Sequence, residues 1–210
     1  YRIVWKGDGS TKAPKNTTPF SLAGATPEKW VATLAHENLL WRRHAQRLLV
    51  ERARKDVVPA LLDLLSRRRV DELGLDVGAI HALWTLQGLG AVDALPNVLK
   101  AVTAALDHPS AGVRRTALTV LPKTPGTVTA VLKAKSLEDG DGQVRLAALL
   151  ALSGVPASAD AGKALFAFLD QPNLTLDQWT VDAAKIAASQ HHTSFLSAAQ
   201  PEHVAAARQA

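Results

Sequence analysis

The sequence contains no cysteine, and this absence excludes several kinds of chemistry. Without thiols, the 210 residues cannot form a disulfide, a thiolate metal site or a covalent haem attachment. Aromatic residues are also few, at 5% of the chain, whereas hydrophobic residues reach 47% and are rich in alanine and leucine. Such a composition favours packed helices over sheets. No run approaches the roughly 18 uncharged apolar residues of a membrane span.

Motifs for catalysis or tight ligand binding are missing as well. The chain has no G-x-S-x-G nucleophile turn, no P-loop and no G-x-G-x-x-G. None of the seven histidines forms an H-x-x-x-H pair, and the rings of adjacent His191 and His192 are expected to point apart. We therefore expect no catalytic residue, no metal site and no cofactor within this chain.

The chain does contain a repeated phrase, Arg-x-x-Ala-x-x-x-Leu. Complete copies begin at Arg42, Arg114 and Arg145, and weaker copies without the arginine surround Ala82 and Ala183. The alanines of the five copies are residues 45, 82, 117, 148 and 183, so that successive copies are 37, 35, 31 and 35 residues apart. A period in this range is typical of stacked helix pairs, each of which is too small to bury its own apolar face.

Helical periodicity and turn signals divide residues 26–210 into about five helix pairs. Thr26 and Asn38 are suitable N-caps, and Pro27 suits the first position of a helix. The predicted pairs are a helix from 26 with 38–53, 56–66 with 77–89, 93–106 with 110–121, 126–137 with 142–153, and 159–169 with 175–189, followed by a fragment from 193. We therefore predict an all-α, right-handed superhelix of repeated helix pairs.

Residues 1–25 do not follow the repeat. The alternating apolar run from Tyr1 to Trp5, followed by Gly7 and Gly9, predicts one strand and a turn. No second strand pattern follows, and a lone strand needs a partner. We therefore expect residues 1–25 to be a strand remnant of a preceding domain plus an extended linker.

The repeated arginine stands near the start of each predicted second helix, where a cation opposes the helix dipole. We expect it to be held by a carboxylate or by backbone carbonyls. Asp107, Asp139 and Asp141 occupy the turns that precede Arg114 and Arg145. We interpret Arg114, Arg145, Asp107 and Asp141 as a structural ladder between adjacent repeats. The alternative is a row of anion-binding sites.

Positive charge is concentrated near the front of the chain. Residues 38–70 contain nine basic and three acidic side chains, or +6, which leaves −1 for the rest of a chain whose net charge is +5. Such a region can attract an anionic partner or can simply be a solvated helix face with a basic loop. The candidate interaction residues are Arg42, Arg43, Arg47, Arg67, Arg68 and Arg69. The last three lie on the long connection from 66 to 78, which is expected to project outward.

Four tryptophans lie on apolar helical stripes, and the pattern predicts that they fill space between helices. They are Trp30, Trp41, Trp84 and Trp179. His81 falls in the middle of a predicted helix, where we expect a buried, hydrogen-bonded imidazole.

The repeat phrase, with Asp or Asn in the turn and Arg-x-x-Ala on the second helix, resembles HEAT repeats, which build right-handed solenoids used for binding and scaffolding. A closer resemblance covers the front half of the chain. Five segments, Tyr1–Gly7, Leu34–Asn38, Trp41–Arg43, Ala45–Arg52 and His81–Leu89, are similar to bacterial membrane-bound dehydrogenase-like proteins. Those proteins join a β-propeller to a HEAT domain, and many continue into a cytochrome c domain with C-x-x-C-H.

The resemblance implies that residues 1–7 are the last propeller strand and that residues 26–210 are the HEAT domain. It also implies an extracytoplasmic location and partner domains of the same polypeptide or complex, namely the propeller and the cytochrome c. The catalytic and haem residues of the family would lie outside this chain. The implied function is a non-catalytic scaffold or interaction domain.

Two other functions remain open at this stage. A HEAT-like nucleic-acid-binding module or DNA glycosylase would lay the DNA backbone along a basic concave face, and it would need basic residues on many second helices. A HEAT-like lyase that acts on a tetrapyrrole would need a pocket of acids and aromatics, which the sequence does not place.

Overall fold

A computed structural model describes residues 20–171 and 175–200. Within these ranges the chain is all-helical and has no strand, which confirms the all-α prediction. The helices are α1 (Pro27–Thr33), α2 (Leu39–Glu51), α3 (Val58–Ser66), α4 (Val77–Gly88), α5 (Ala91–Ala94), α6 (Pro96–Ala104), α7 (Ala111–Val120), α8 (Pro125–Lys133), α9 (Gly142–Ser153), α10 (Ala159–Leu169), α11 (Gln178–Gln190) and α12 (His192–Ala198). The strand predicted at 1–5 and most of the predicted linker lie outside the described residues.

Capping side chains and prolines define where the helices begin. The Asn38 side chain accepts a hydrogen bond from the Leu40 amide at 2.8 Å, and Asp141 accepts from the amides of the first turn of α9. These bonds satisfy amides that have no partner within the helix. Prolines occupy the first turn of four helices, at Pro27, Pro59, Pro96 and Pro125. A missing amide hydrogen costs little at that position.

Two predicted helices are shorter in the structure than in the sequence analysis. The helix predicted over 93–106 is interrupted at Leu95, which is extended (φ −123°, ψ 113°) because the ring of Pro96 disfavours helical backbone in the residue before it. The helix predicted over 126–137 ends at Lys133. Lys135 then adopts a left-handed conformation with φ 52°, which ends α8 before a short 3₁₀ turn.

The helices pack as pairs. The second helix of each pair, namely α2, α4, α7, α9 or α11, packs on the second helix of the next pair in chain order. The first helices α1, α3, α6, α8 and α10 form another row and pack less extensively on one another. One hydrophobic core runs through all the pairs, from Leu22 near α1 to Ala187 in α11.

The alanine of the repeat phrase lies in this core in every copy. Ala45, Ala82, Ala117 and Ala148 are fully buried, and Ala183 is 3% exposed. A glycine permits a close contact between two second helices, because a Cβ atom at Gly88 of α4 would lie 2.8 Å from Cγ2 of Val50 in α2. The core thus has little room for larger side chains at these positions.

The tryptophans divide into two groups. Trp30 is buried in the core and Trp41 is half-buried, as the apolar stripe predicted. The same prediction is wrong for Trp84 and Trp179, which are 38% and 77% exposed. These two residues lie on second helices, where the side that faces away from the first helices has no covering element among the described residues.

We predict that Ala117→Leu or Ala148→Leu lowers the free energy of unfolding by about 1–3 kcal/mol, because both alanines are fully buried and the added side chain overfills the core. Urea unfolding followed by circular dichroism measures the change. The matched control is Ala167→Leu, at an exposed position in the last turn of α10. An unfolding midpoint equal to that of the control would show that neither alanine sits at a close helix contact.

Candidate interaction surfaces

The repeated arginine holds the turn that precedes its own helix. In all three complete copies, Nη1 donates to the backbone carbonyls five and six residues earlier. The partners are His36 and Glu37 for Arg42 (2.7 and 2.8 Å), His108 and Pro109 for Arg114 (2.8 and 3.1 Å), and Asp139 and Gly140 for Arg145 (2.8 and 3.4 Å). We call this arrangement the arginine clasp. The clasp provides hydrogen-bond donors for two carbonyls of the turn. In return, these carbonyls compensate the positive charge of an arginine that lies near a helix N-terminus.

The first residue of each clasped turn makes a second recurring bond. Its side chain accepts a hydrogen bond from the backbone amide two residues later, as Asx turns do. These residues are His36, His108 and Asp139, with distances of 2.9, 3.0 and 2.9 Å. Two histidines and one aspartate thus make the same side-chain hydrogen bond in three equivalent turns. Arg42, a candidate interaction residue, is therefore engaged within the chain.

Arg114 alone among the three arginines also binds a carboxylate of the next repeat. Its Nε and Nη2 donate to the two carboxylate oxygens of Asp139 at 2.7 and 2.8 Å, and both side chains are largely buried. Asp141 instead caps α9, and the carboxylate of Asp107 is exposed, 3.7 Å from Arg68. The ladder predicted from Asp107 and Asp141 is thus replaced by a single rung from Arg114 to Asp139.

Asp139 is ionised at neutral pH because of its partners. Burial alone would raise its pKa, but hydrogen bonds from Arg114 and from the Asp141 amide, together with the charges of Arg114 and Arg145, lower the pKa below its usual value. The same ion pair raises the pKa of Arg114. This pair joins α7 to the turn before α9 and therefore links two adjacent helix pairs.

Asp76, His108 and Ser110 lie close together but do not form a nucleophilic triad. Nε2 of His108 lies 3.5 Å from the Asp76 carboxylate. Nδ1 of His108 accepts a hydrogen bond from the backbone amide of Ser110, not from the Ser110 hydroxyl. All three residues are buried, and burial lowers the pKa of His108 despite the charge of Asp76. The Ser110 hydroxyl is buried and has no hydrogen-bond partner among the described residues, so His108 is not positioned to activate it.

The exposed face between α2 and α4 contains a groove of about 350 Å³, which we call the front groove. Arg43, Arg47, Trp84 and Gln87 line it. Arg43 is exposed and makes no hydrogen bond or ion pair with the described residues, and Arg47 makes only an exposed contact of 3.7 Å with Glu51. Two candidate arginines therefore flank an exposed aromatic ring.

His81 is hydrogen-bonded to Gln46, which lines the front groove. Its Nδ1 is 2.6 Å from Oε1 of Gln46, so the half-buried ring is hydrogen-bonded across α4 and α2. Burial lowers its pKa to about 4, and the charges of Arg42 and Arg43 contribute to the shift. The ring is neutral at pH 7. Its titration therefore reports on the charge at Arg43.

The Arg67-Arg68-Arg69 run is less free than the sequence analysis expected. Arg67 donates to Asp63 at 2.6 Å, and Arg68, in a left-handed conformation, donates to the backbone carbonyl of Asp107 in the next pair. Arg69 is exposed and makes no hydrogen bond or ion pair in the described part of the chain. Among the described residues, Arg43 and Arg69 thus have no partner and Arg47 has only a long contact with Glu51, whereas Arg67 and Arg68 are exposed but hydrogen-bonded.

One basic surface was not found by the sequence analysis. Between α6 and α8, a groove of about 660 Å³ is lined by Leu99, Leu106 and Ala130 together with Lys100, Lys133 and Lys135. We call it the lysine groove. Lys100 and Lys133 are 33 residues apart, which is close to one repeat period. This spacing could have predicted that the two lysines lie near each other on adjacent first helices.

We predict that Asp139→Asn lowers the free energy of unfolding by about 1–3 kcal/mol at pH 7, because it leaves the half-buried Arg114 without its anion. The folded-state pKa of Asp139 is lowered, so the ion pair stabilises the fold above the unfolded value of about 4 and is lost as pH falls through the folded value. Urea unfolding at pH 7 and pH 3 should therefore show a difference from wild type that shrinks at pH 3. A difference independent of pH would contradict this role.

We predict that the His81 imidazole titrates with a midpoint at about 4 in NMR spectra. Because this lies below the unfolded value of about 6.5, neutral His81 stabilises the fold fully above pH 6.5, and that stability is lost as pH falls through about 4. Arg43→Gln should raise the midpoint, since it removes a nearby positive charge. Lys163→Gln, an exposed control on α10, should leave it unchanged. A midpoint near 6.5 in the wild type would mean that the ring is solvated.

No protein-family model, no curated protein and no solved structure matches this chain. Function must therefore be argued from charge, packing and exposure. Within residues 20–171 and 175–200, no group of three or more His, Asp or Glu side chains could hold a metal ion. Among the described helices, none combines the length and the apolar character needed to cross a bilayer. The front groove and the lysine groove each combine exposed basic side chains with accessible apolar surface.

Proposed function

We propose that the chain is a HEAT-like, right-handed solenoid of about five helix pairs that serves as a non-catalytic binding scaffold. The observation that supports this most strongly is the recurrence of one set of contacts. Each second helix packs on the next and carries a buried alanine, and three of the five turns are held by the arginine clasp. Repeated contacts between nearest neighbours are the defining property of solenoids.

The front groove, together with Arg69, is the proposed binding surface for an acidic protein domain. Arg43 and Arg47 present guanidinium groups next to the exposed ring of Trp84. Arginine and tryptophan are the residue types that most often contribute strongly to protein interfaces. A carboxylate-rich partner would neutralise the arginines, and an apolar side chain on that partner would cover the ring.

The proposed context comes from the resemblance of residues 1–89 to membrane-bound dehydrogenase-like proteins. In that context the chain is the HEAT portion of a larger extracytoplasmic protein, and its partner is a neighbouring propeller or cytochrome c domain. The scaffold then holds the catalytic and electron-transfer domains in a fixed relation, and it contributes no reacting group of its own.

A nucleic-acid-binding role is supported less well. A DNA backbone laid along the second helices needs basic residues on many of them. Helix α4 has no lysine or arginine, and the single arginine of α9, Arg145, is held in its clasp. Arg115 lies in α7 and Lys123 just after it, so that α4, without basic residues, separates them from the arginines of α2. The positive charge of this face is therefore interrupted.

Binding of a fluorescent Glu₁₂ peptide and of a 20-base-pair DNA duplex, measured by anisotropy at low and physiological salt, tests the proposal. We expect the peptide to bind in a salt-dependent manner. The triple variant Arg43→Ser, Arg47→Ser and Arg69→Ser should weaken it about tenfold, because three exposed charges contribute a few-fold each. The control Lys55→Ser, Lys163→Ser and Lys185→Ser removes the same charge from exposed positions elsewhere.

Equal weakening by both triple variants would mean that only net charge matters, and this would contradict a dedicated front surface. Submicromolar binding of the duplex at physiological salt would favour the nucleic-acid role instead. The His81 midpoint provides a local readout, since an anion bound beside Arg43 should raise it.

A further inference from the structure

The lysine groove is open because the residues between its two helices are small. Thr103 and Ala104 of α6 face Ala130 and Ala134 at the end of α8, and the two helices do not pack closely on each other. The second helices behind them, α7 and α9, pack extensively. The first row therefore separates at this point while the second row stays closed, and an apolar floor that includes Leu99 and Leu106 remains accessible.

The charge around this floor is mainly positive. Lys100, Lys133 and Lys135 are exposed and form no ion pair with the carboxylates of the described residues. Asp107 also lines the groove, but its carboxylate lies 3.7 Å from Arg68, which offsets its charge. Three ammonium groups beside an apolar floor complement a ligand that is both anionic and apolar.

The groove is long rather than compact. Lys135 also lines a second hollow, of about 280 Å³, between α8 and α10, where Leu132 and Phe168 form apolar walls. The two hollows thus meet at one lysine and extend across three first helices. An extended chain can follow such a path, whereas a small molecule is usually held in a single enclosed pocket.

Lys135 stands at a position that glycine would occupy without strain. Its φ of 52° ends α8, and a side chain in this conformation costs free energy that glycine does not pay. An ammonium group is therefore present at the junction of the two hollows, although the left-handed backbone conformation there disfavours a side chain. A glycine variant can remove that group and leave the turn intact.

We propose that the lysine groove binds a peptide segment of a partner protein that contains both acidic and leucine-like residues. Its apolar side chains contact Leu99 and Leu106, and its carboxylates lie beside Lys100, Lys133 and Lys135. This surface lies on the row of first helices, so that it is separate from the front groove and does not depend on the function proposed for it.

Selection from a random 12-residue peptide display library, with the whole chain as target, tests the proposal. We expect enriched peptides that combine Asp or Glu with Leu, Ile or Phe. Their affinity, measured by anisotropy, should fall about tenfold with Lys100→Ser and Lys133→Ser together. Lys135→Gly should weaken binding several-fold while the unfolding midpoint stays about the same, because relief of the φ strain offsets the added flexibility of the unfolded chain.

The front-groove triple variant is the control and should bind the selected peptides as wild type does. If the front-groove variant loses affinity for the selected peptides while the lysine variants bind them as wild type does, this proposal is overturned. The front groove would then be the site for acidic peptides. A library that yields no acidic, apolar peptides would also overturn it. A third outcome would also overturn it: laurate binds, the lysine variants lower its affinity, and no selected peptide displaces it. The ligand of the groove would then be a fatty acid.

Discussion

Close contact between consecutive second helices is the constraint on which the rest of the structure depends. Each second helix carries a buried alanine of the repeat phrase, and Gly88 allows α4 to approach Val50 of α2 closely. A larger residue at any of these positions would overfill the continuous core. Grooves are present on both rows: the lysine groove lies between α6 and α8, which pack little on each other, and the front groove lies on the exposed face of α2 and α4. The packing of each row thus determines where exposed grooves can form.

The arginine clasp solves an electrostatic problem that the stack creates. An arginine near a helix N-terminus is unfavourable unless its charge is compensated. Two carbonyls of the preceding turn provide this compensation in each complete copy, and in one copy Asp139 adds a carboxylate from the next pair. As a consequence, the repeated arginines are structural, whereas the neighbouring Arg43, which is exposed and makes no hydrogen bond or ion pair with the described residues, remains available to a ligand.

Local features were predictable from sequence, whereas contacts between pairs were not. The period of the phrase and the caps Thr26 and Asn38 predicted the helix pairs, because these signals act within a few residues. The choice of Asp139 over Asp107 and Asp141 depends on how two pairs are offset along the stack. The exposure of Trp84 depends on which face lacks a neighbour. The lysine groove likewise depends on the separation of two helices that are not adjacent in sequence.

The central claim is that each helix pair is stabilised by its nearest neighbours. Native-state hydrogen exchange of a Leu165→Ala variant tests this most directly, since Leu165 is fully buried in α10 and its truncation costs about 2–5 kcal/mol. A stack predicts a large loss of protection in α9 to α12 and little change in α2 and α4. An equal loss of protection in every helix would show that the chain unfolds as one cooperative globule, and this would contradict the account.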